Sequence, residues 1–188
     1  MTNIAIFASG RGSNARNIIN YFNNHTSISV KLIVSNKSTA PVLDIGKQAN
    51  IDNIVINRDD FYQSTALLDL LQKKHIDFIV LAGFLWLIPS YLVSGYNNRI
   101  VNIHPALLPK YGGKGMYGMN VHEAVFAAKE PETGITIHYV NEHYDEGNII
   151  FQARCTLDST DTPETIAGKI HQLEQAHFPR IIEATVNK

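Results

Sequence analysis

The sequence predicts an α/β fold: a Rossmann-like open, mostly parallel sheet with helices on both faces and a C-terminal antiparallel edge pair. Three observations carry that prediction. Short apolar runs alternate with longer segments of helical period, the βαβα order that builds parallel sheets through right-handed crossovers. The run Phe78–Ala82 is apolar without alternation, as expected of a strand covered by helices on both sides. After Pro105 the pattern changes to two alternating segments, Gly134–Val140 and Ile149–Leu157, around a turn at Asp145-Glu146-Gly147; these read as an antiparallel pair.

In order along the chain, Ile4–Ala8 reads as a strand, Ser13–Asn23 as a helix and Val30–Ser35 as a second strand. Ala40–Asn50 is a helix opened by Pro41, and Asn53–Ile56 a strand. Ser64–Lys74 places Leu67, Leu68 and Leu71 on one face, as an amphipathic helix does. Phe78–Ala82 and Arg99–Ile103 are the next strands. The segment Leu108–Gly115 is a glycine-rich loop, followed by a helix over Val121–Lys129 and the antiparallel pair. Thr162-Pro163-Glu164 opens a long last helix, with a threonine cap and a proline in the first turn. No repeat, low-complexity stretch or linker interrupts residues 1–188, which read as one domain.

Composition narrows the function classes. A chain of 188 residues that is 45% hydrophobic and 18% charged is that of a globular protein able to bury a core. The formal net charge of -1 offers no broad basic field for nucleic acid or a membrane surface. The longest apolar run, Phe78 to Ile88, is short of the ~20 residues that span a bilayer, and Met1-Thr2-Asn3 carries no basic signal-peptide start. The expected compartment is the cytoplasm. The lone Cys155 excludes a disulfide framework and a cysteine zinc cluster, and it reads as inert in an apolar strand.

Gly10-Arg11-Gly12-Ser13-Asn14-Ala15 fits the G-x-G-x-x-[GA] spacing between a strand and a helix, a context that turns backbone N–H groups toward an anion. A dinucleotide site would want an acid at the end of the second strand, where this chain has Ser35-Asn36-Lys37. A phosphate of a smaller ligand fits better. The plainer alternative is a tight turn with Ser13 or Asn14 as the helix cap.

Asn102-Ile103-His104-Pro105 closes a strand at the carboxyl edge, where open α/β sheets bind ligands; period-two geometry puts Asn102 and His104 on one side. Asn supplies an N–H donor for a developing oxyanion and His a proton that titrates near neutrality. Thr136, His138 and Val140 share a face, with Asp145 just beyond; an aspartate facing a histidine would raise the histidine pKa. Asp145 as ordinary turn chemistry and His138 as a satisfied half-buried histidine are the alternatives. His171, Glu174 and His177 recur at steps of three on the last helix without the spacing of a metal signature, so no metal is expected. His25, His75, His122 and His143 read as surface or turn residues.

Gly10–Asn14, Leu81-Ala82-Gly83-Phe84, the block Asn102–Tyr111 and His138–Gly147 together resemble the phosphoribosylglycinamide formyltransferases, a family of folate-dependent enzymes of purine biosynthesis. The likeness runs in order along almost the whole chain, which would make residues 1–188 a single formyltransferase domain. It implies transfer of a formyl group from 10-formyltetrahydrofolate to the amine of glycinamide ribonucleotide, small-molecule substrates only, with no metal. It implies Asn102, His104 and Asp145 as the catalytic trio, with Asp145 keeping His104 charged. It implies Gly12, Ser13 and Asn14 at the substrate phosphate, and His171, Gln172, Leu173 and Glu174 on the same substrate, Glu174 at the ribose hydroxyls. The folate would lie against Leu85, Trp86, Leu87 and Ile88, Asn102, and the loop Asn141, Glu142, His143, Tyr144 and Asp145. Trp86 stands where several relatives carry Arg, and the glycines of Lys114–Gly118 suggest a lid.

Related chemistries remain as rivals. A methionyl-tRNA formyltransferase would need a basic tRNA-binding domain for which 188 residues leave no room, and a formyltetrahydrofolate hydrolase an added N-terminal regulatory domain. A nucleotide-dependent oxidoreductase, or a non-catalytic nucleotide-binding module, would rest on the glycine turn alone.

Overall fold

A computed structural model describes residues 1–187. Among them, seven strands form one sheet in the order β3-β2-β1-β4-β5-β6-β7. The first four in sequence are β1 (Thr2–Phe7), β2 (Ile28–Ser35), β3 (Asp52–Val55) and β4 (Phe78–Leu81). With β5 (Ile100–His104) they pair in parallel, whereas β6 (Glu132–Tyr139) and β7 (Ile149–Thr156) add an antiparallel edge. The predicted sheet is therefore the observed one, with boundaries moved by one or two residues, as hydrogen bonding rather than hydropathy sets strand ends.

The sheet divides its side chains by strict alternation. Ile4 and Ile6 of β1, Phe78 and Val80 of β4, and Val101 and Ile103 of β5 face one core, with Ala15, Ile18 and Phe22 of α1 (Ser13–Phe22) and Ile166, Ile170, Phe178 and Ile182 of α7 (Pro163–Val186). Ala5 and Phe7, Ile79 and Leu81, and Ile100 face the opposite core, with Phe61 of α3 (Arg58–Gln63), Leu67 and Leu71 of α4 (Ala66–Lys73) and Leu92 of α5 (Ser90–Gly95). The remaining helices are α2 (Val42–Gln48) and α6 (Met119–Ala127). Fully burying one such Leu, Ile or Phe contributes roughly 1.5–3 kcal/mol, so both layers are held by apolar contact. The start of α7 is capped as anticipated: Thr162 Oγ1 accepts from the Thr165 N–H, and Thr165 Oγ1 from the Thr162 N–H.

Two helices escape the sequence reading. Residues 58–63 form α3 ahead of α4, where a single helix over 64–74 is expected, and α5 follows Pro89. The strand order reverses between β2 on one side of β1 and β4 on the other, which opens a crevice at the carboxyl ends of β1 and β4. No helix of the described residues is long and apolar enough to cross a membrane.

Candidate active site

One end of the crevice is the turn after β1. Gly12 sits at φ 77°, and a Cβ there would approach Val42 Cγ2 to 2.7 Å, so both the backbone and the space demand glycine. Gly12 is itself the N-cap of α1 and no side chain caps the helix, which sets aside capping by Ser13 or Asn14. Asn14 turns toward α7 instead. Its Nδ2–H donates to Glu174 Oε2 at 3.0 Å, and Gln175 Nε2–H donates to its Oδ1 at 3.3 Å. The first turn of α1 thereby brings the free N–H groups of a helix start beside a shielded carboxylate.

The other end is built across β5 and β6. In that register Asn102 opposes His138 and His104 opposes Thr136, so all four share the face of the sheet that Ile100 occupies one turn of the pleat earlier. Thr136 is structural: its Oγ1 accepts from the Leu108 N–H at 3.0 Å and donates to the Ala106 carbonyl at 2.7 Å, pinning the chain just after His104. Asp145, in the loop after β6, accepts from the Gly113 N–H at 2.9 Å through Oδ2 and from Asn102 Nδ2–H at 3.3 Å through Oδ1. Gly112 lies so close that a Cβ would sit 3.3 Å from Asp145 Cβ and 2.6 Å from Leu108 Cδ2.

Tautomers follow from these partners. His138 Nδ1 is 2.8 Å from the Tyr139 carbonyl, which can only accept, so the proton is on Nδ1 and Nε2 accepts from Asn102 Nδ2 at 3.1 Å. Both amide hydrogens of Asn102 are thus turned inward, to His138 and Asp145, leaving Oδ1 for the cavity. His104 Nε2–H donates to the Tyr111 carbonyl at 2.7 Å, and its Nδ1 is 3.5 Å from Asp145 Oδ2.

The electrostatics correct one expectation. Burial pushes the His104 pKa down; Asp145 and the Tyr111 carbonyl push it up and His138 down again, and the net direction is down. His104 is therefore neutral at rest rather than held charged by Asp145, because its side chain is only 4% exposed and desolvation outweighs the ion pair. Burial also pushes Asp145 up, yet the His138 imidazole 3.6 Å away, the proximity of His104 and the Gly113 N–H more than offset it, so this carboxylate is depressed and stays ionised. Glu174 is the reverse: burial raises it, and Asn14 and His171 recover only part.

The sequence matches, over residues 2–182, the family described as formyl transferase. The chain belongs to that family. It is 38% identical over 96% of its length to the chloroplastic phosphoribosylglycinamide formyltransferase of Arabidopsis thaliana and 34% identical over 97% to the phosphoribosylglycinamide formyltransferase of Bacillus subtilis. It covers 94% of the bacterial relative, but only 64% of the Arabidopsis protein and 60% of its counterpart from Vigna unguiculata. The crystal structure of phosphoribosylglycinamide formyltransferase from Bacillus halodurans superposes with a TM-score of 0.89 at 35% identity, covering 100% of this chain and 96% of that one.

In this formyl transferase the two ends share one cavity of about 580 Å³. Of the residues expected at the site, Gly12, Ser13, Asn14, Asn102, His104, Asp145 and Glu174 line it, as do Leu85, Trp86, Leu87, Ile88, His143 and Tyr144. His171, Gln172, Leu173, Asn141 and Glu142 are not among its lining residues. Leu173 packs against the core instead, and His171 stands outside with its Nδ1 3.6 Å from Glu174 Oε2. Among the described residues no group of three metal-ligating side chains comes together.

Two further histidines belong to this wall. His122, read as a surface or turn residue, is buried on α6 and its Nδ1 has no protein partner; His138 is buried in the bond to Asn102. The loop Gly113–Gly118 also lines the cavity, with Gly113, Gly115 and Gly118 all at positive φ.

Proposed function

We propose that this formyl transferase moves the formyl group of 10-formyltetrahydrofolate onto the primary amine of 5'-phosphoribosylglycinamide, yielding the N-formyl product and tetrahydrofolate in purine biosynthesis. The observation that carries the reading is the convergence of Asn102, His104 and ionised Asp145 in the wall of a cavity whose lining differs in kind from part to part. At one end the Gly12–Asn14 turn and Glu174 offer N–H groups and a carboxylate, suited to a phosphate and to ribose hydroxyls. Elsewhere in the lining, Leu85, Trp86, Leu87 and Ile88 form an apolar wall suited to a flat pterin. The buried and unpartnered Nδ1 of His122 fits a site completed by a polar ligand.

The reaction forms one C–N bond and breaks another, so a proton must leave the attacking amine and one must reach the departing folate nitrogen. Neutral His104 accepts the first at Nδ1, where the Asp145 carboxylate 3.5 Å away stabilises the imidazolium that results, and that imidazolium returns the proton to the departing folate nitrogen. Burial, which keeps the ring neutral at rest, makes it a competent base near pH 7. The free carbonyl of Asn102 accepts from the amine and aligns it; donation to the oxyanion requires one Nδ2–H to leave His138 or Asp145.

The deciding measurement is formyl transfer to glycinamide ribonucleotide by the purified chain, with His104→Ala as control. Turnover in the parent and its loss by at least about 100-fold in the variant are expected. No transfer by a folded, soluble parent protein would overturn the reading.

A further inference from the structure

The apolar wall of the cavity has no secondary structure of its own. Residues 83–88 run between β4 and α5 outside any helix or strand, so their place depends on what grips them from neighbouring elements. Two side chains take hold of the backbone. Ser9, buried just past β1, accepts from the Leu85 N–H at 3.0 Å through Oγ. Two residues further on, Tyr62 O–H of α3 donates to the Leu87 carbonyl at 3.0 Å. Trp86, between these two points, is held through its ring. Its centroid lies 5.5 Å from that of Phe61, 6.1 Å from that of Tyr62 and 6.2 Å from that of Phe84. The Arg58 guanidinium stands over both the Tyr62 and the Trp86 rings, at 5.2 and 5.7 Å. Helix α3 is in turn fixed to α5, since Tyr91 O–H donates to the Phe61 carbonyl at 3.0 Å. Arg58, Phe61 and Tyr62 do not line the cavity, so they meet its contents only through the wall.

We propose that Tyr62 is a positioning residue for the formyl donor: its hydroxyl holds the Leu87 carbonyl, and with it the Leu85–Ile88 wall, in the shape against which a flat heterocycle packs. A flat ring gains fully from an apolar wall only when the wall is already in place, because ordering a loose segment at the moment of binding is subtracted from affinity. Leu85 is tied to the end of β1, which the sheet fixes on both sides. Leu87 is tied to a six-residue helix with one buried side chain, Phe61. The Tyr62 hydroxyl is therefore the tie on which the far half of the wall depends. Its contacts are with Leu87 and with the rings and cation around Trp86, and none is with the Gly12–Asn14 turn or Glu174, where the ribonucleotide is proposed to bind. Loss of the hydroxyl should thus be felt by one substrate and not by the other. Tyr62→Phe removes that hydroxyl and keeps the ring and the cation above it.

The service to the donor rests on the proposed formyl transfer, whereas the hold on the wall does not, and the test separates them. Trp86 is the only tryptophan in the sequence, so its fluorescence reports on the wall in the free protein. In Tyr62→Phe, checked for a native circular dichroism spectrum, acrylamide should quench Trp86 with about twice the parental constant. Calorimetric titration should give a Kd for tetrahydrofolate weakened about five- to tenfold, the loss of roughly one hydrogen bond, and a Kd for the ribonucleotide within about twofold of the parent. In the transfer assay KM for the formyl donor should rise by the same factor, with kcat and KM for the ribonucleotide within about twofold. Tyr21→Phe removes a hydroxyl that α1 donates to Glu183 of α7 and should match the parent in every measurement. Parental quenching in Tyr62→Phe overturns the proposal, and so does altered quenching with a parental Kd for tetrahydrofolate. A fall in kcat, or an equal loss of affinity for both substrates, also overturns it, since either marks a general loosening. If the parent neither binds tetrahydrofolate nor transfers a formyl group, the functional reading falls, and the quenching contrast alone decides whether Tyr62 holds the wall.

Discussion

Asp145 and Glu174 lie in the wall of the same cavity, with side chains 11% and 15% exposed, yet their pKa values are pushed in opposite directions. Burial pushes both carboxyls up. Asp145 meets that push with the Gly113 N–H on one oxygen, Asn102 Nδ2–H on the other and two imidazoles within 3.6 Å. Glu174 has Asn14 Nδ2–H at 3.0 Å and the half-exposed His171 at 3.6 Å, both on Oε2. Exposure alone therefore does not set the charge of a buried acid; the number of fixed donors does. The Asp145 side of the cavity thus has donors that favour an anion, and the Glu174 side has a carboxyl that burial makes harder to ionise.

The comparison breaks most visibly on Asp145→Asn. The variant keeps the shape and loses the charge that stabilises the His104 imidazolium, so kcat should fall by about 100-fold or more while the fold remains. Near-parental turnover would remove Asp145 from the mechanism. Stability gives the next contrast. Asp145 has a depressed folded pKa, so its contribution is present above the unfolded value, about 4, and is lost as pH falls through the folded one. Glu174 has a raised folded pKa, so its contribution is present below about 4.3 and is lost as pH rises through the folded value. In urea titrations at pH 7, Asp145→Asn should destabilise the protein by about 1–3 kcal/mol and Glu174→Gln should stabilise it by about 1 kcal/mol. Both differences from the parent should shift in the opposite directions as the pH is lowered to 3. Two destabilised variants at pH 7 would mean that the carboxylates are alike after all. In the transfer assay Glu174→Gln should raise KM for the ribonucleotide roughly tenfold, more than it lowers kcat, because the side chain serves binding rather than proton transfer.

What could be read from the chain beforehand follows the same divide. The turn at Gly10–Asn14 and the strand ending in Asn102 and His104 are local patterns, a few residues long, and both were legible. Helix α3 left a signal that went unread: Asn57 Oδ1 accepts from the Asp60 N–H, a cap followed by acids in the first turn, but its six residues show too little periodicity to stand out. The charge of His104 was not legible, because sequence names the partner, Asp145, without the desolvation that opposes it. His122 was missed for a related reason. A histidine is half apolar by composition, and only the tertiary placement of α6 decides that this one faces inward. Leu173 shows the converse, since a segment can follow a family pattern while its helical phase turns one residue into the core.

The smallest expected effect tests how little His171 contributes to the Glu174 end. Its ring is half exposed, and its Nδ1 is 3.6 Å from a carboxylate oxygen already bound by Asn14. An ion pair open to water on one side is worth about 0–1 kcal/mol, and salt screens it. His171→Gln should therefore shift the urea midpoint at pH 7 by no more than the equivalent of about 0.5 kcal/mol, and raising the salt to about 0.5 M should erase the difference. Asn14→Ala should cost more, since it strips the hydrogen bond that a buried amide donates to Glu174 and leaves Gln175 without its acceptor on α1. If His171→Gln proved the costlier of the two, the ionic partner rather than the buried amide would be holding Glu174. The contrast with Asp145 would then be one of which histidine is near, not of how many fixed donors surround the carboxyl.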